Sequence, residues 1–235
     1  MSAALSVSQA LQSRRSVRAF TDQDVDEAVL RRVIEKAARA PSGGNLQPWH
    51  LYVLKGEPLT QMQRLMDKRL AEAPEGEGAD GEGVEYRIYP NPMVSPYKER
   101  RMEFGTSLYR SMNIGREDSK GRQAWHHRNF RFFDAPAALF CYVDRQHGSP
   151  QWSDLGMYLM SLMLLLREEG LDSCPQECWA RYSTTVDSFI HPPAGLMLFC
   201  GMSIGYADKA HPANNFDSTR APASEFATFL GFDKS

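Results

Sequence analysis

Between Asp154 and Glu169 the chain reads DLGMYLMSLMLLLREE, closed by Gly170, a left-handed-tolerant residue at a helix C-terminus. Wound into a helix, this stretch is apolar on almost every side. Such a helix has no face to turn toward water and must be covered all round. In a small domain that points to a deep position, with a subunit partner supplying part of the cover. The unbroken part, Leu155 to Leu166, is about a dozen residues. That is short of the roughly 20 residues needed to cross a bilayer, so no membrane span is expected.

The other elements arrange themselves around that helix. Helices are predicted over Ser6 to Ser13, Val25 to Arg39, Leu59 to Glu72, Tyr97 to about Asp118, Gly121 to Phe130 and Ser224 to Leu230. Strands are predicted at HLYVLKG (50–56), APAALFCYVDR (135–145) and LMLFCGMSIGY (196–206), the second continuous enough to be buried on both faces. Strands separated by helices give a mixed α/β layer fold, with no repeat and no domain boundary within the 235 residues. Residues 73–96, rich in Gly, Pro and acid, are expected to be a mobile surface insert. They contain a literal GxGxxG at Gly76, Gly78 and Gly81. No strand precedes it, no helix follows directly, and Glu75, Glu77, Asp80 and Glu82 would repel a pyrophosphate, so it is not a dinucleotide fingerprint.

Several function classes drop out. A net charge of −2 gives no excess of Lys and Arg for nucleic acid as the main partner. The first 20 residues put their arginines after the mildly apolar part, the reverse of an export signal, which fits a cytoplasmic protein. Cys141 and Cys200 lie in apolar strands and read as core thiols. Cys174 and Cys178 lack a second Cys/His pair, so neither zinc nor a disulfide framework is expected. His126 and His127 are adjacent and diverge by about 100° on a helix, too far to share a metal. There is no G-x-S-x-G elbow and no Walker loop. An enzyme without its own nucleophile or metal fits a cofactor that carries the chemistry.

Four segments offer binding chemistry, each with a plainer alternative. Arg14, Arg15, Ser16 and Arg18 form a basic run in which Arg14, Ser16 and Arg18 alternate onto one side of an extended segment. Two guanidinium forks and a hydroxyl there suit a terminal phosphate, or the run is a solvated turn. Pro41-Ser42-Gly43-Gly44-Asn45-Leu46-Gln47-Pro48-Trp49 places amides and glycines where backbone can approach a flat ring, or is a stiff turn with Trp49 as core anchor. Cys174-Pro175-Gln176-Glu177 is read as the loop after the apolar helix. Arg220, in NNFDSTRAP, follows the strand carrying Gly201 and Gly205, and by itself reads as surface.

In this order the segments resemble the nitroreductase family over nearly the whole chain, from about Leu11 to Phe232. RRSVRAF followed by APSGGNLQPWH is the specific pair. PYKERRMEFGTSLYRSMNIGREDSKGR further resembles members acting on nitrobenzoate-type and bulky nitroaromatic compounds. The resemblance implies an α+β three-layer sandwich with a central mixed sheet flanked by helices, an intertwined homodimer, and FMN at the interface. By that carry-over, Arg14, Arg15, Ser16, Arg18 and Arg220 hold the phosphate and ribityl chain. Pro41, Ser42, Gly43, Asn45 and Gln47 line the flavin, in part from the second subunit. Pro175 and Gln176 lie over the ring, a backbone N–H at the Gln176–Glu177 turn faces N5, and Gly201 lies nearby. Many members have Glu-Gly after this Pro where this chain has Gln-Glu. A Lys-x-Arg pair near the C-terminus is absent, leaving Arg220.

The activity implied is ping-pong, two-electron reduction of nitroaromatic or quinone-type acceptors by NAD(P)H. Tyr86, Tyr89, Tyr97, Phe104 and Trp125 are the candidate aromatic contacts on the substrate side. No segment shows a ribose or 2′-phosphate reader, so NADH and NADPH are not distinguished. The alternatives are a dehalogenating or flavin-modifying enzyme of the same fold, or an FMN-binding sensor without turnover.

Overall fold

The computed structural model describes residues 5–73 and 81–232. The sheet has four strands, β1 (His50–Lys55), β2 (Ala137–Asp144), β3 (Asp172–Gln176) and β4 (Leu196–Gly205), in the order β1-β2-β4-β3. All three pairings are antiparallel. The parallel component expected of a mixed sheet is limited, among the described residues, to an isolated bridge between Ser16 and Ser173.

Helices cover both faces, giving the expected three layers. On one face lie α1 (Val7–Ser13), α2 (Glu27–Ala37) and α6 (Ser149–Glu168); on the other, α3 (Glu57–Ala71) and α7 (Ser183–Ile190). β2 serves both layers by strict alternation. Ala137, Leu139, Cys141 and Val143 join the α2–α6 core, while Ala138, Phe140 and Tyr142 join the α3–α7 core. Each fully buried large apolar side chain contributes roughly 1.5–3 kcal/mol.

β4 breaks this alternation. Its register against β2 jumps between Cys141↔Cys200 and Tyr142↔Leu198, leaving Phe199 as the extra residue of a bulge. Before the bulge, Leu196 and Leu198 face the α3–α7 side; after it, Cys200, Met202 and Ile204 face the α2–α6 side. The same flip turns Gly201 and Ser203 toward the α3–α7 side. A Cβ on Gly201 would meet the Trp179 indole at 2.4 Å. Packing of Trp179 therefore accounts for the absence of a side chain at this position.

The apolar helix α6 begins earlier than expected, at Ser149. Leu155, Tyr158, Leu159, Leu162 and Leu166 are buried, but Met157 is 38% exposed and Ser161 and Leu164 are only half-buried. Cover is thus incomplete within one chain.

Three local expectations are corrected. The helix expected up to Asp118 ends at Ser111 (α4, Tyr97–Ser111), because Asn113 takes a left-handed conformation and Gly115 follows. The next, α5 (Ser119–His127), hands over to a 3-10 turn, Arg128–Asp134, in which Phe132, Phe133 and Asp134 are all left-handed. Ser224 to Leu230 forms only a 3-10 turn at Ala223–Glu225, since Phe226, Phe229 and Leu230 find no cover in the chain and a short helix is marginal without packing. Gly76 and Gly78, with the rest of 74–80, lie outside the described residues. From 81 to 96 the insert is tied to the body. The Glu82 N–H donates to the Arg181 carbonyl at 2.9 Å, Glu85 pairs with Arg145 at 2.7 Å, and the Tyr86 hydroxyl donates to the Phe199 carbonyl.

Candidate functional site

Arg14, Ser16 and Arg18 leave the end of α1 as extended chain that lies along β3. Ser16 bridges Ser173, and the Val17 N–H donates to the Ser173 carbonyl at 3.1 Å. Asn214 holds the next residue. Its Oδ1 accepts from the Arg18 N–H, and its Nδ2 donates to the carbonyls of Ala19 and Asp208, all at 2.8 Å. Nothing in the sequence pattern singled out Asn214, although it lies in the segment that carries Arg220.

Arg14, Ser16, Arg18 and Arg220 line one cleft of about 930 Å3. None of the three arginines pairs with a carboxylate among the described residues. The Arg18 guanidinium donates to the Ser16 carbonyl at 3.0 Å, and that of Arg220 to oxygens of Ser218 and Thr219. Burial, and then the nearby Arg220, holds the Arg14 guanidinium below the ordinary arginine range. Cations gathered without a counter-charge form a receptor for an anion. Arg15 lines the same cleft but is ion-paired with Asp217, so its charge is already answered. It is the one arginine of this cleft paired with a carboxylate among the described residues.

A second cleft, of about 800 Å3, adjoins the first and shares Arg18 and Phe104 with it. Pro175, Gln176 and Glu177 form part of its wall, with Tyr89, Trp125 and Phe104 among the aromatic lining. Cys174 to Gln176, read as a loop, is the end of strand β3, and a 3-10 turn begins at Glu177. The Ser16 bridge and the pairing with β4 explain the difference, because both partners are remote in sequence. The Gln176 side chain points into the protein. Its Oε1 accepts from the buried Ser203 hydroxyl at 2.6 Å and its Nε2 donates to the Asn129 carbonyl at 2.7 Å. Only the backbone of this residue is left to face the cleft. The first N–H groups of the turn that follows have no intrahelical acceptor.

Arg18, Arg101 and Arg181 line the second cleft, while burial favours the neutral form of three other side chains there. Burial raises the Glu177 carboxyl above the ordinary range. Burial, then Arg181 and His127, lowers His126 to about 4. Burial pushes the Cys178 thiol up to about 12. Tyr97 is 60% exposed and lines neither cleft, and Tyr86 stacks instead on Phe199 with ring centroids 5.6 Å apart.

The segment Pro41 to Gln47 behaves differently. It makes a 3-10 turn at Gly43–Asn45, with Gly44, Asn45 and Gln47 left-handed. The buried Asp154 of α6 accepts the Gly43 N–H at 3.2 Å, and Ser42 Oγ accepts that of Gln47 at 3.0 Å. Trp49 anchors its end by stacking on Tyr158, centroids 4.6 Å apart. Pro41, Gly43, Asn45 and Gln47 are exposed, and none lines either cleft. Asp154 was missed from sequence, yet a lone carboxylate entering so apolar a helix was a signal for it.

No group of three or more His, Cys, Asp or Glu among the described residues is placed to hold a metal, and no described helix is long and apolar enough to cross a membrane. The family model described as "Nitroreductase family" matches residues 11–206. A 4-nitrobenzoate reductase from Nocardioides sp. is 35% identical over 224 residues, covering 95% of this chain and 89% of the relative. A nitrobenzene nitroreductase from Ectopseudomonas oleovorans is 32% identical, covering 94% and 95%. Among solved structures, the FMN and NADPH-dependent nitroreductase NfnB from Sphigopyxis sp. strain HMH superposes with a TM-score of 0.91, at 46% identity over 97% of this chain and all of the other. The FMN-dependent NfnB from Mycobacterium smegmatis, solved in complex with NADPH, gives 0.86 at 30% identity, covering 96% of this chain and all of the other.

Proposed function

The chain belongs to the nitroreductase family, and from that premise we propose that it is an FMN-dependent oxidoreductase using NAD(P)H to reduce nitroaromatic or quinone-type acceptors, as a cytoplasmic homodimer. One observation carries the reading. Arg14 and Arg18, joined by the sequence-remote Arg220, line one of two adjacent clefts without an ion pair to a carboxylate among the described residues, and the other cleft is walled by β3 and aromatic rings.

The residues present fit FMN. Arg14, Arg18 and Arg220, with the Ser16 hydroxyl, would hold the phosphate. Burial, and then the nearby Arg220, lowers Arg14, and a dianion seated among the three would favour its charged form. Pro175, Gln176 and the Glu177 N–H would border the ring. Bound FMN supplies a two-electron carrier between a nicotinamide and an electron-poor acceptor.

The chain's own work is binding, orientation and exclusion of charge. Ser203 and Asn129 fix Gln176 so that the strand end cannot shift away from the ring. Phe104, Tyr89 and Trp125, with the guanidinium groups of Arg18, Arg101 and Arg128 over their rings, are the aromatic side chains of this cleft against which an acceptor can be oriented. A His126 lowered to about 4 is a weak base, and Cys178 stays a thiol, so neither competes strongly as a base or nucleophile. Protons come from solvent.

A second copy has two tasks in this reading. Its body would cover Met157, Ser161 and Leu164 along α6 and exposed side chains such as Leu11, Leu46, Phe226 and Phe229. Its Pro41–Gln47 segment would reach the ring from outside the chain. Relatives that match nearly the full chain are nitroreductases, which disfavours the dehalogenating and flavin-modifying alternatives.

The test is an absorption spectrum of the purified protein before and after anaerobic NADPH, followed by a nitroaromatic. Flavin bands that bleach and return are the expected outcome. A colourless protein that takes up no added FMN would remove the proposal. A yellow protein that never bleaches would leave a binding module without turnover.

A further inference from the structure

The 3-10 turn Glu177–Tyr182 carries Arg181 near its end. Side chains three apart nearly eclipse in such a turn, which sets Arg181 over Cys178, and both line the second cleft. Trp179 and Ala180 bury the middle of the turn, and the Arg181 carbonyl accepts the Glu82 N–H at 2.9 Å. A Cβ on Gly81 would stand 2.8 Å from that carbonyl, so the chain crosses close above it. The backbone that bears this guanidinium is thus fixed from two sides. Its charge is unanswered. The other two arginines of the cleft are engaged, Arg18 with the Ser16 carbonyl at 3.0 Å and Arg101 with the Tyr89 ring, 4.2 Å from its centre. Arg181 meets neither carboxylate nor ring among the described residues, and its Nε is buried without an acceptor. Glu177 is the one Asp or Glu that lines the cleft, and it makes no ion pair with Arg181 among the described residues. The nearness of the cation is felt at two neighbours. After burial it is the next cause that lowers His126, and it opposes the rise that burial imposes on Cys178. A partly desolvated guanidinium without a counter-charge gains most from an electron-rich oxygen.

Resting on the reading of the protein as a flavin nitroreductase, we propose that Arg181 is a catalytic residue that receives the nitro group of the acceptor and answers the negative charge developing on its two oxygens. A nitro group is flat and carries two oxygens in the geometry of a carboxylate, which the guanidinium fork matches. Reduction to the nitroso compound takes two electrons from the nicotinamide donor and two protons from solvent. One N–O bond breaks, and that oxygen leaves as water. Charge builds on the oxygens until the protons arrive, and a cation already in place there needs no reorganisation at that moment. The turn that carries Arg181 begins at the N–H assigned to the flavin ring, so one rigid element sets the acceptor and the ring at a fixed separation.

The experiment compares the parent protein with Arg181→Gln, flavin content and melting temperature checking that the variant is folded. The two half-reactions are followed separately by anaerobic stopped-flow. Re-oxidation of the reduced flavin by nitrobenzene should slow about tenfold or more, while its reduction by NADPH is unchanged. Guanidinium ion added to Arg181→Ala should return part of the lost rate, which a merely structural role would not allow. Benzoate, a flat carboxylate of the nitro group's shape, should bind the oxidised parent by calorimetry and the variant about tenfold more weakly. Re-oxidation by nitrobenzene at the parent's rate would overturn the proposal. A loss confined to flavin reduction would also overturn it, by assigning Arg181 to the donor. Equal slowing of both half-reactions would do the same, by assigning it to the flavin. A parent that takes up no flavin would sink the reductase reading and this proposal with it, whereas a parent that turns over and is matched by the variant would sink this proposal alone.

Discussion

The two segments that resemble flavin-binding elements most closely behave in opposite ways. The Arg14–Arg18 segment is woven into the sheet through Ser173 and held by Asn214, and its cations meet Arg220 within one chain. The Pro41–Gln47 segment is also locally rigid, through Asp154 and Ser42, but presents its polar groups outward and lines no cleft of its own chain. Rigidity without a cavity is what a surface needs if it is to complete a site on another copy. In the proposed dimer, one half of the site is a folded pocket and the other is a preformed edge.

The sharpest way to break that contrast is to loosen the built half. Gln176→Leu strands the Ser203 hydroxyl and the Asn129 carbonyl and should lower stability by roughly 2–4 kcal/mol, read by chemical denaturation. A loss under 1 kcal/mol would mean that the strand end is not held as described. Next comes Arg18→Ala, which should weaken FMN binding by roughly 1.5–3 kcal/mol in a fluorescence titration while leaving the fold intact. Full flavin retention would remove Arg18 from the receptor. On the other half, Asp154→Ala frees the Gly43 N–H and should weaken FMN binding by about 1–2 kcal/mol. That loss should appear only at concentrations where the protein is dimeric. An equal loss in the monomer would place the segment at its own chain's site and erase the contrast.

A further prediction concerns pH. His126 has a folded pKa of about 4, below its ordinary value, so the unfolded chain takes up the proton first as pH falls. Its contribution is complete above the ordinary histidine range and is lost as pH falls from about 6.5 toward about 4. Melting temperatures across that window should decline, and His126→Gln should flatten the decline. A variant that follows the parent curve throughout would assign the loss to other groups.

Much of the architecture was legible in the chain because it is written in local period and local chemistry. The alternation of β2, the uniform apolarity of α6, and the Gly and Pro of the Pro41–Gln47 segment each need only neighbours in sequence to be read. The run RRSVR could be read as a candidate anion receptor, with a solvated turn as its alternative, for the same reason, since charge and spacing lie within five residues. Tertiary structure decided the rest. β3 is a strand only because Ser16 and β4 pair with it from far along the chain. The bulge at Phe199 turns Gly201 and Ser203 toward Trp179 and Gln176, a shift of face that an unbroken apolar run cannot display. Arg15 came to lie against Asp217 and Arg220 near Arg14, which sequence order alone does not display. Sequence by itself determined which segments are regular and which carry charge. Only the fold determined which charges meet, because a charge takes its role from neighbours that long-range pairing brings to it.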